Sequence, residues 1–136
     1  MNAFPIQSFL ASLEERRRAL GMPWDALGAR SGVSRATVIR LLKQHQSGAS
    51  FQHVIAVAEA LGVRVEFDGI ALQSKPIGVK DFIDQQASRQ ARKLVGMVQG
   101  TMGLESQALA NKAAAPLIKR TKRKLLAGSK KKLWYD

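Results

Sequence analysis

Cysteine is absent from this chain of 136 residues, which excludes a disulfide framework, a thiolate zinc site and a cysteine nucleophile. Histidine is scarce. His53 falls on a predicted helix and His45 in a polar loop, and neither is placed like a metal ligand. No nucleophile accompanied by a base and an orienting group can be picked out. We therefore predict no metal site, no cofactor and no catalytic centre.

Long apolar runs are also missing. None approaches the roughly 18 residues needed to cross a bilayer. The first 13 residues lack a basic segment and a small-residue cleavage site, so we expect no signal peptide. We predict a cytoplasmic protein without a membrane partner. The hydrophobic share of 46% is enough for a packed core, which argues against wholesale disorder.

Acidic side chains are few, with 10 Asp and Glu against 22 Lys and Arg, and the net charge is +12. The imbalance lies in the second half, because residues 1–68 carry a net +2 and residues 69–136 a net +10. Between Lys112 and Lys132 there are nine basic residues and no acidic one. This run indicates a polyanionic or acidic protein partner. The alternative is a solvated basic tail that aids solubility.

Apolar spacing predicts the elements of the first half. Four helices are expected, at residues 6–20, 24–31, 34–43 and 51–61. Residues 63–67 alternate as in a strand, and Asp68-Gly69 predicts a hairpin turn into a short return strand at 70–72. The first half is therefore expected to be a small helical bundle that ends in a hairpin.

The second half is predicted to be a linker followed by helices. Residues 74–78 contain a proline and a glycine and are interpreted as the linker. A helix is expected at 79–98 and another at 104–115, where Pro116 limits or restarts it before one more helix. The predicted division of the chain is 1–73, 74–78 and 79–136.

Met22–Leu42 contains the most informative motif, two short helices joined by a turn of about three residues. Gly28 falls where the helices cross, and Gly32 can take a positive φ in the turn. Ser34 is a natural N-cap for the second helix of the pair. Four apolar residues are expected to face inward, namely Leu27, Val33, Val38 and Leu41. An inert helical bundle is the alternative interpretation.

This stretch resembles the XRE family, the Cro/cI-type phage-repressor-like helix-turn-helix domains. The helix before it and the segment Phe51–Val63 fit as well, so the resemblance covers about residues 7–66. It implies a mainly α fold: a repressor-like bundle of four to five helices with a short β-hairpin, followed here by a helical extension. It also implies that the third helix enters the major groove of double-stranded DNA.

By position, the resemblance implies DNA contacts for the third helix and its flanks. Arg35, Ala36 and Arg40 would meet base edges, with Arg35 best suited to bidentate reading of a guanine. Arg40 could read either a base or a phosphate. Ser34 and Thr37 would lie near phosphates. The adjacent DNA backbone would be held by Lys43, Gln44 and the main chain around Ser50.

Two positions depart from the family pattern and leave alternatives open. Trp24 stands where the family often has a glutamine that contacts phosphate. Its indole N–H can still donate to a phosphate, or the ring can pack against the first helix. Ile39 is apolar at a position that is often polar, so it either touches a thymine methyl group or is buried.

The extension at 79–136 is expected to serve dimerisation or partner binding. Reading a palindromic operator usually needs two copies, joined through the hairpin or through the helix at 79–98. An acidic or phosphate surface could dock on that helix at Arg89, Arg92 and Lys93. Trp134 and Tyr135 after three lysines are a plausible partner anchor, unless they fold back on the core of the protein.

Small XRE proteins with an added helical segment resemble plain repressors and bacterial antitoxins. The predicted function is therefore a homodimeric, sequence-specific repressor, in the form of an autoregulatory antitoxin that binds a partner toxin through its second half. The alternative is a non-specific nucleic-acid-associated protein that uses the basic tail. A third class is an adaptor whose helix-turn-helix no longer reads DNA.

Overall fold

The computed structural model describes residues 6–44, 50–68, 71–99 and 104–135, with the backbone alone at 67–68, 71–72, 97–99 and 104–114. The chain divides into two compact units, Met1–Val79 and Lys80–Asp136, called unit 1 and unit 2 below. The predicted mainly helical fold with a short hairpin is confirmed.

Unit 1 is a four-helix bundle followed by a two-stranded antiparallel hairpin. Its elements are α1 (Ile6–Leu20), α2 (Trp24–Ser31), α3 (Arg35–Gln44), α4 (Phe51–Ala60), β1 (Val63–Asp68) and β2 (Ala71–Pro76). Helix α2 packs against both α3 and α4, α1 packs against α3, and α4 packs against β1. The third helix is thus held on its inner side by two others.

The core of unit 1 is built from the apolar stripes that face the bundle axis. Leu10, Leu13 and Leu20 of α1 are at most 1% exposed. The four residues predicted to lock the helix crossing are all buried, at 0% to 6% exposure: Leu27, Val33, Val38 and Leu41. Their burial removes apolar surface from water, which is the main term that stabilises the crossing.

The turn between α2 and α3 depends on glycine. Gly32 has φ +71° in the left-handed region, and its N–H donates to the carbonyl of Gly28 at 2.9 Å to close α2. A Cβ at Gly32 would find no heavy atom within 4 Å. Glycine is therefore required here because of the backbone conformation, not because a side chain would lack space.

We expect Gly32→Ala to destabilise unit 1 by about 1 kcal/mol, because an L side chain is strained at this φ. Gly32→Asn should cost less, since asparagine tolerates the left-handed region better. Urea unfolding of both variants measures the two changes in the free energy of unfolding. Equal stability of the wild type and the alanine variant would contradict the assignment of strain.

The return strand is longer than predicted. β2 runs from Ala71 to Pro76, so residues 74–76 belong to the hairpin and not to a linker. Register pairs Val63 with Pro76, and Lys75 Nζ lies 2.9 Å from Glu66 Oε2 across the strands. Residues 73–75 are all polar and all exposed. The sequence there lacks the alternation of apolar and polar residues that predicts a strand. The predicted turn residue Gly69 lies outside the described residues.

Unit 2 contains α5 (Val79–Gln99, whose first residue belongs to unit 1), α6 (Leu104–Ala127) and the one-turn α7 (Lys130–Leu133). The helix predicted at 79–98 is confirmed. The prediction that Pro116 limits or restarts a helix is wrong, because α6 runs through it. Three alanines, strong helix formers, precede the proline, and its ring is exposed.

The core of unit 2 joins α5 to the end of the chain. Phe82 and Trp134 stack with ring centroids 5.2 Å apart, and Trp134 is 1% exposed. The buried side chains of Gln86 and Gln90 donate to the carbonyl of Leu133 at 3.0 and 3.4 Å. Gln90 also donates to the carbonyl of Tyr135 at 2.5 Å. Two buried amides are thus satisfied by backbone from the other end of the unit.

Candidate nucleic-acid interface

The start of α3 is capped as predicted. The Thr37 N–H donates to Ser34 Oγ at 3.2 Å, and the Ser34 hydroxyl donates to Thr37 Oγ1 at 2.8 Å. The first bond satisfies one of the orphan N–H groups of a helix N-terminus. Ser34 is therefore the N-cap of α3, and it lies exposed beside the first turn.

One face of α3 is open and the other is buried. Val38, Leu41 and Leu42 are at most 1% exposed. The residues predicted to meet DNA lie on the opposite face, with Ile39 half-buried at its middle. The exposed ones are Arg35, Ala36, Arg40, Lys43 and Gln44. At 100° per residue these five fall within about half a turn of the helix, so they form a single surface.

The two arginines of this surface have defined neighbours. Arg35 Nε lies 2.7 Å from Asp25 Oδ1 of α2, with the two side chains 60% and 67% exposed. Arg40 Nη2 donates to Thr37 Oγ1 at 3.3 Å, so the half-buried Thr37 bonds to both Ser34 and Arg40. Asp25 was not anticipated from the sequence, because an acidic residue in a first helical turn is common for other reasons.

Trp24 lies half-buried at the start of α2. The Arg17 guanidinium of α1 stacks over its ring, 3.7 Å from the centroid. Packing against α1 is one of the two roles that the sequence left open for this residue, and a phosphate contact stays a prediction. The stacked pair connects the first helix to the segment that begins the helix-turn-helix.

Glu14 holds the Arg17 side chain in this position through hydrogen bonds. Its carboxylate accepts hydrogen bonds from Arg17 Nε and Nη2 at 2.8 Å and from Arg18 Nε, one helical turn further on, at 2.9 Å. Arg17 Nη1 donates to the carbonyl of Met22 at 2.8 Å. Burial tends to raise the pKa of Glu14, but the hydrogen bonds and charges of the two arginines outweigh it and the pKa is lowered.

The lowered pKa of Glu14 predicts acid sensitivity of unit 1. The stabilisation is present above the unfolded pKa of about 4.5 and is lost as the pH falls through the lower folded value. Glu14→Gln should lower stability on the order of 2 kcal/mol at pH 7. Urea unfolding at pH 7 and pH 3 tests this, and the gap between variant and wild type should shrink at pH 3. A gap that stays constant with pH would contradict it.

Other predicted contacts fall at the edge of the described region. Ser50, before α4, is exposed, as is His53 within that helix. His45 lies outside the described residues. Among the residues that the structure describes, no group of three or more potential ligands could hold a metal ion. Within the same ranges, no helix is long and apolar enough to span a membrane.

The structure of unit 2 exposes most of the residues predicted to bind a partner and buries one of them. Arg89, Arg92 and Lys93 are exposed on α5, and Tyr135 is 49% exposed. Trp134 instead lies in the core of its own unit, so it is a core residue and not an exposed anchor. Its ring is covered by Phe82, a contact between residues 52 positions apart in the chain.

Two helices joined by a glycine turn, with a capped and cationic second helix, define a helix-turn-helix DNA-binding domain. Residues 13–67 match the family model described as helix-turn-helix, which confirms the class of domain that the resemblance predicted for this part of the chain. This match supports a DNA-binding regulator. No curated protein and no solved structure matches the chain.

Proposed function

We propose that this protein is a sequence-specific repressor that binds operator DNA through α3. The exposed face of α3 carries the proposal, because it presents Arg35 and Arg40 from a helix whose inner side is locked in the core. Arginine on such a helix can read guanine through O6 and N7 in the major groove. Residues 1–79 carry nine basic and six acidic side chains, a net charge of only +3, so sequence-independent attraction to phosphate is weak in unit 1.

The decisive experiment is fluorescence anisotropy on the full chain. The probes are a duplex from upstream of its own coding sequence and a scrambled duplex of the same composition, each measured across a salt series. A repressor should prefer its own duplex by about 10³-fold or more at physiological salt. Equal affinity for the two duplexes would overturn autoregulation by sequence-specific binding.

We propose further that the repressor acts as a homodimer. A single recognition helix reads only a few base pairs, and two copies read half-sites about 34 Å apart. The hairpin supports this proposal, since in the described residues its sheet has two strands and therefore two unpaired edges. Sedimentation of the full chain should give twice the monomer mass of 14.9 kDa. A monomer, both free and on the operator, would contradict it.

The antitoxin role is proposed for unit 2. Its α5 exposes Arg89, Arg92 and Lys93, and this cluster fits an acidic surface on a toxin. Co-expression with the product of the adjacent gene, followed by purification, should recover a complex. Charge reversal of the three residues to glutamate should release the partner while DNA binding by unit 1 persists. Recovery of the complex from the reversed variant would place the contact elsewhere.

A second candidate function, non-specific binding to nucleic acid, is favoured by the end of unit 2. Seven exposed cations have no carboxylate partner in the described part of the chain. They are Lys119, Arg120, Arg123, Lys124, Lys130, Lys131 and Lys132. The four on α6 share its outer side, since they recur at spacings of one, three and four residues.

This candidate predicts a different salt dependence. Each phosphate contact contributes about 0.9 to the slope of log affinity against log salt. Changing the three lysines of α7 to glutamine should reduce that slope by up to about 3 for both duplexes alike. If the two duplexes bind equally and the slope falls, the basic end of unit 2 is the main functional element. An unchanged slope would reject this candidate.

A further inference from the structure

We propose that Asp25 is a positioning residue that orients Arg35 for reading a guanine and so determines specificity at one base pair. The inference rests on the proposed repressor function. The carboxylate of Asp25 and the guanidinium of Arg35 meet at 2.7 Å, across the two helices of the motif. Both side chains are more than half exposed, so the pair lies on the open surface with the other predicted base-reading residues.

The position of Arg35 is unfavourable for the helix itself. Arg35 is the first residue of α3, and no acidic residue lies in the first turn of that helix. A cation at a helix N-terminus is repelled by the positive end of the helix dipole. A residue that opposes the local preference on an open, cationic face marks a site kept for function. Asp25 supplies, from α2, the negative charge that α3 lacks.

Close packing of the two helices makes the pair possible. Gly28 follows Asp25 by three residues and therefore shares its side of α2. A Cβ at Gly28 would lie 3.1 Å from the carbonyl oxygen of Val33 and 3.6 Å from the Cα of Arg35. The backbone of α2 thus lies so close to the start of α3 that even a Cβ at position 28 would be tightly packed, and the short aspartate side chain can reach Arg35.

The contact leaves the reading edge of Arg35 available. It is made at Nε, and no other described residue pairs with this guanidinium. Bidentate recognition of guanine uses two N–H groups held in a fixed direction. A free arginine loses much rotamer freedom when it is fixed in this way. An arginine already held by a carboxylate loses less on binding, which raises the affinity for the matching base.

Two other roles for Asp25 predict different results. As a negative charge in the first turn of α2, Asp25 would stabilise that helix whether or not Arg35 is present. As an anion near DNA it would weaken binding to every sequence alike. Exposed ion pairs are too weak to hold a fold together, so removal of the carboxylate should leave unit 1 folded. Base preference at one position is therefore the observable that belongs to positioning alone.

The test starts from the sequence that the wild-type full chain enriches from a library of random duplexes. Affinities for that duplex and all its single-base variants are then measured for wild type, Asp25→Ala, Asp25→Asn, Arg35→Ala and the control Glu59→Ala. Glu59 is exposed on α4 and takes part in no ion pair among the described residues, so its loss matches the change in charge. Circular dichroism confirms that each variant is folded.

Asp25→Ala should reduce discrimination about tenfold at a single base pair, the one at which Arg35→Ala also loses discrimination. Asp25→Asn should retain part of it, because its amide oxygen can still face the guanidinium. In the double variant Asp25→Ala, Arg35→Ala, measured alongside the others, the base preference should be that of Arg35→Ala alone.

A uniform change in affinity, equal to that of Glu59→Ala and with an unaltered base preference, would overturn the proposal. So would an effect of Asp25→Ala that persists in full without Arg35. If the wild-type chain enriches no sequence at all, the repressor function itself fails. If the wild-type chain does enrich a sequence, and both Asp25 variants show the same base preference as the wild type, only the positioning role of Asp25 fails.

Discussion

Replacing Arg35 and Arg40 by alanine is expected to weaken operator binding by about 1–3 kcal/mol each, or about 5- to 150-fold. Both side chains are exposed on α3, and neither contributes to the core that holds the helix. The loss should therefore appear in the affinity for the operator and not in the free energy of unfolding. Anisotropy titrations with the operator and the scrambled duplex measure both parts of this expectation.

Arg64→Ala is the matched control for these variants. Arg64 is exposed on β1, where its Nη1 lies 3.6 Å from Glu66 Oε1, and its removal costs one positive charge without touching α3. It should lower the affinity for both duplexes slightly and equally. If the α3 variants behave like this control, the helix-turn-helix does not read bases, and an adaptor role becomes the better interpretation.

Trp134→Ala is expected to destabilise unit 2 by about 3–5 kcal/mol. The ring is 1% exposed and stacks on Phe82, and the flanking carbonyls satisfy the buried Gln86 and Gln90. Loss of the ring removes the contact that holds α7 on α5, and the two amides then risk losing their acceptors. Because a small domain has little stability in reserve, unit 2 should unfold as a whole.

Hydrogen exchange of the full chain measures this effect unit by unit. Protection of α5 should fall in Trp134→Ala, while protection of α1 to α4 should remain. The neighbouring Tyr135→Ala serves as control and should change the free energy of unfolding by less than about 0.5 kcal/mol, since Tyr135 is 49% exposed. Unaltered protection of α5 in the tryptophan variant would show that the ring is dispensable for unit 2.

The burial of the Trp134 indole in unit 2 also limits which residues a partner can contact at this surface. The exposed neighbours of the chain end are Tyr135 and the lysines of α7, whereas Trp134 is a structural residue. A partner that bound Trp134 directly would first have to break its stacking on Phe82. The Trp134→Ala variant therefore tests stability, and charge reversal on α5 is the cleaner test of partner binding.

The helices of unit 1 and the motif were predictable because their signals are local. The stripe of α1, the cap at Ser34 and the left-handed turn at Gly32 each involve residues within a few positions of one another. Outward placement of Arg35 and Arg40 follows from the same periodicity once the inward residues are known. The exposed cationic face of α3 thus follows from the sequence without any tertiary contact.

The sequence by itself determined the helix-turn-helix and its cationic face, because helical periodicity and capping act over three to four residues. Only the tertiary structure decided the full length of β2, the burial of Trp134 and the pairing of Asp25 with Arg35. Each of these depends on residues beyond the reach of helical periodicity: the strand register that pairs Val63 with Pro76, the ring of Phe82 stacked on Trp134, and the helix crossing at Gly28. Such residues meet only when each unit folds, since burial of its own apolar core brings them together.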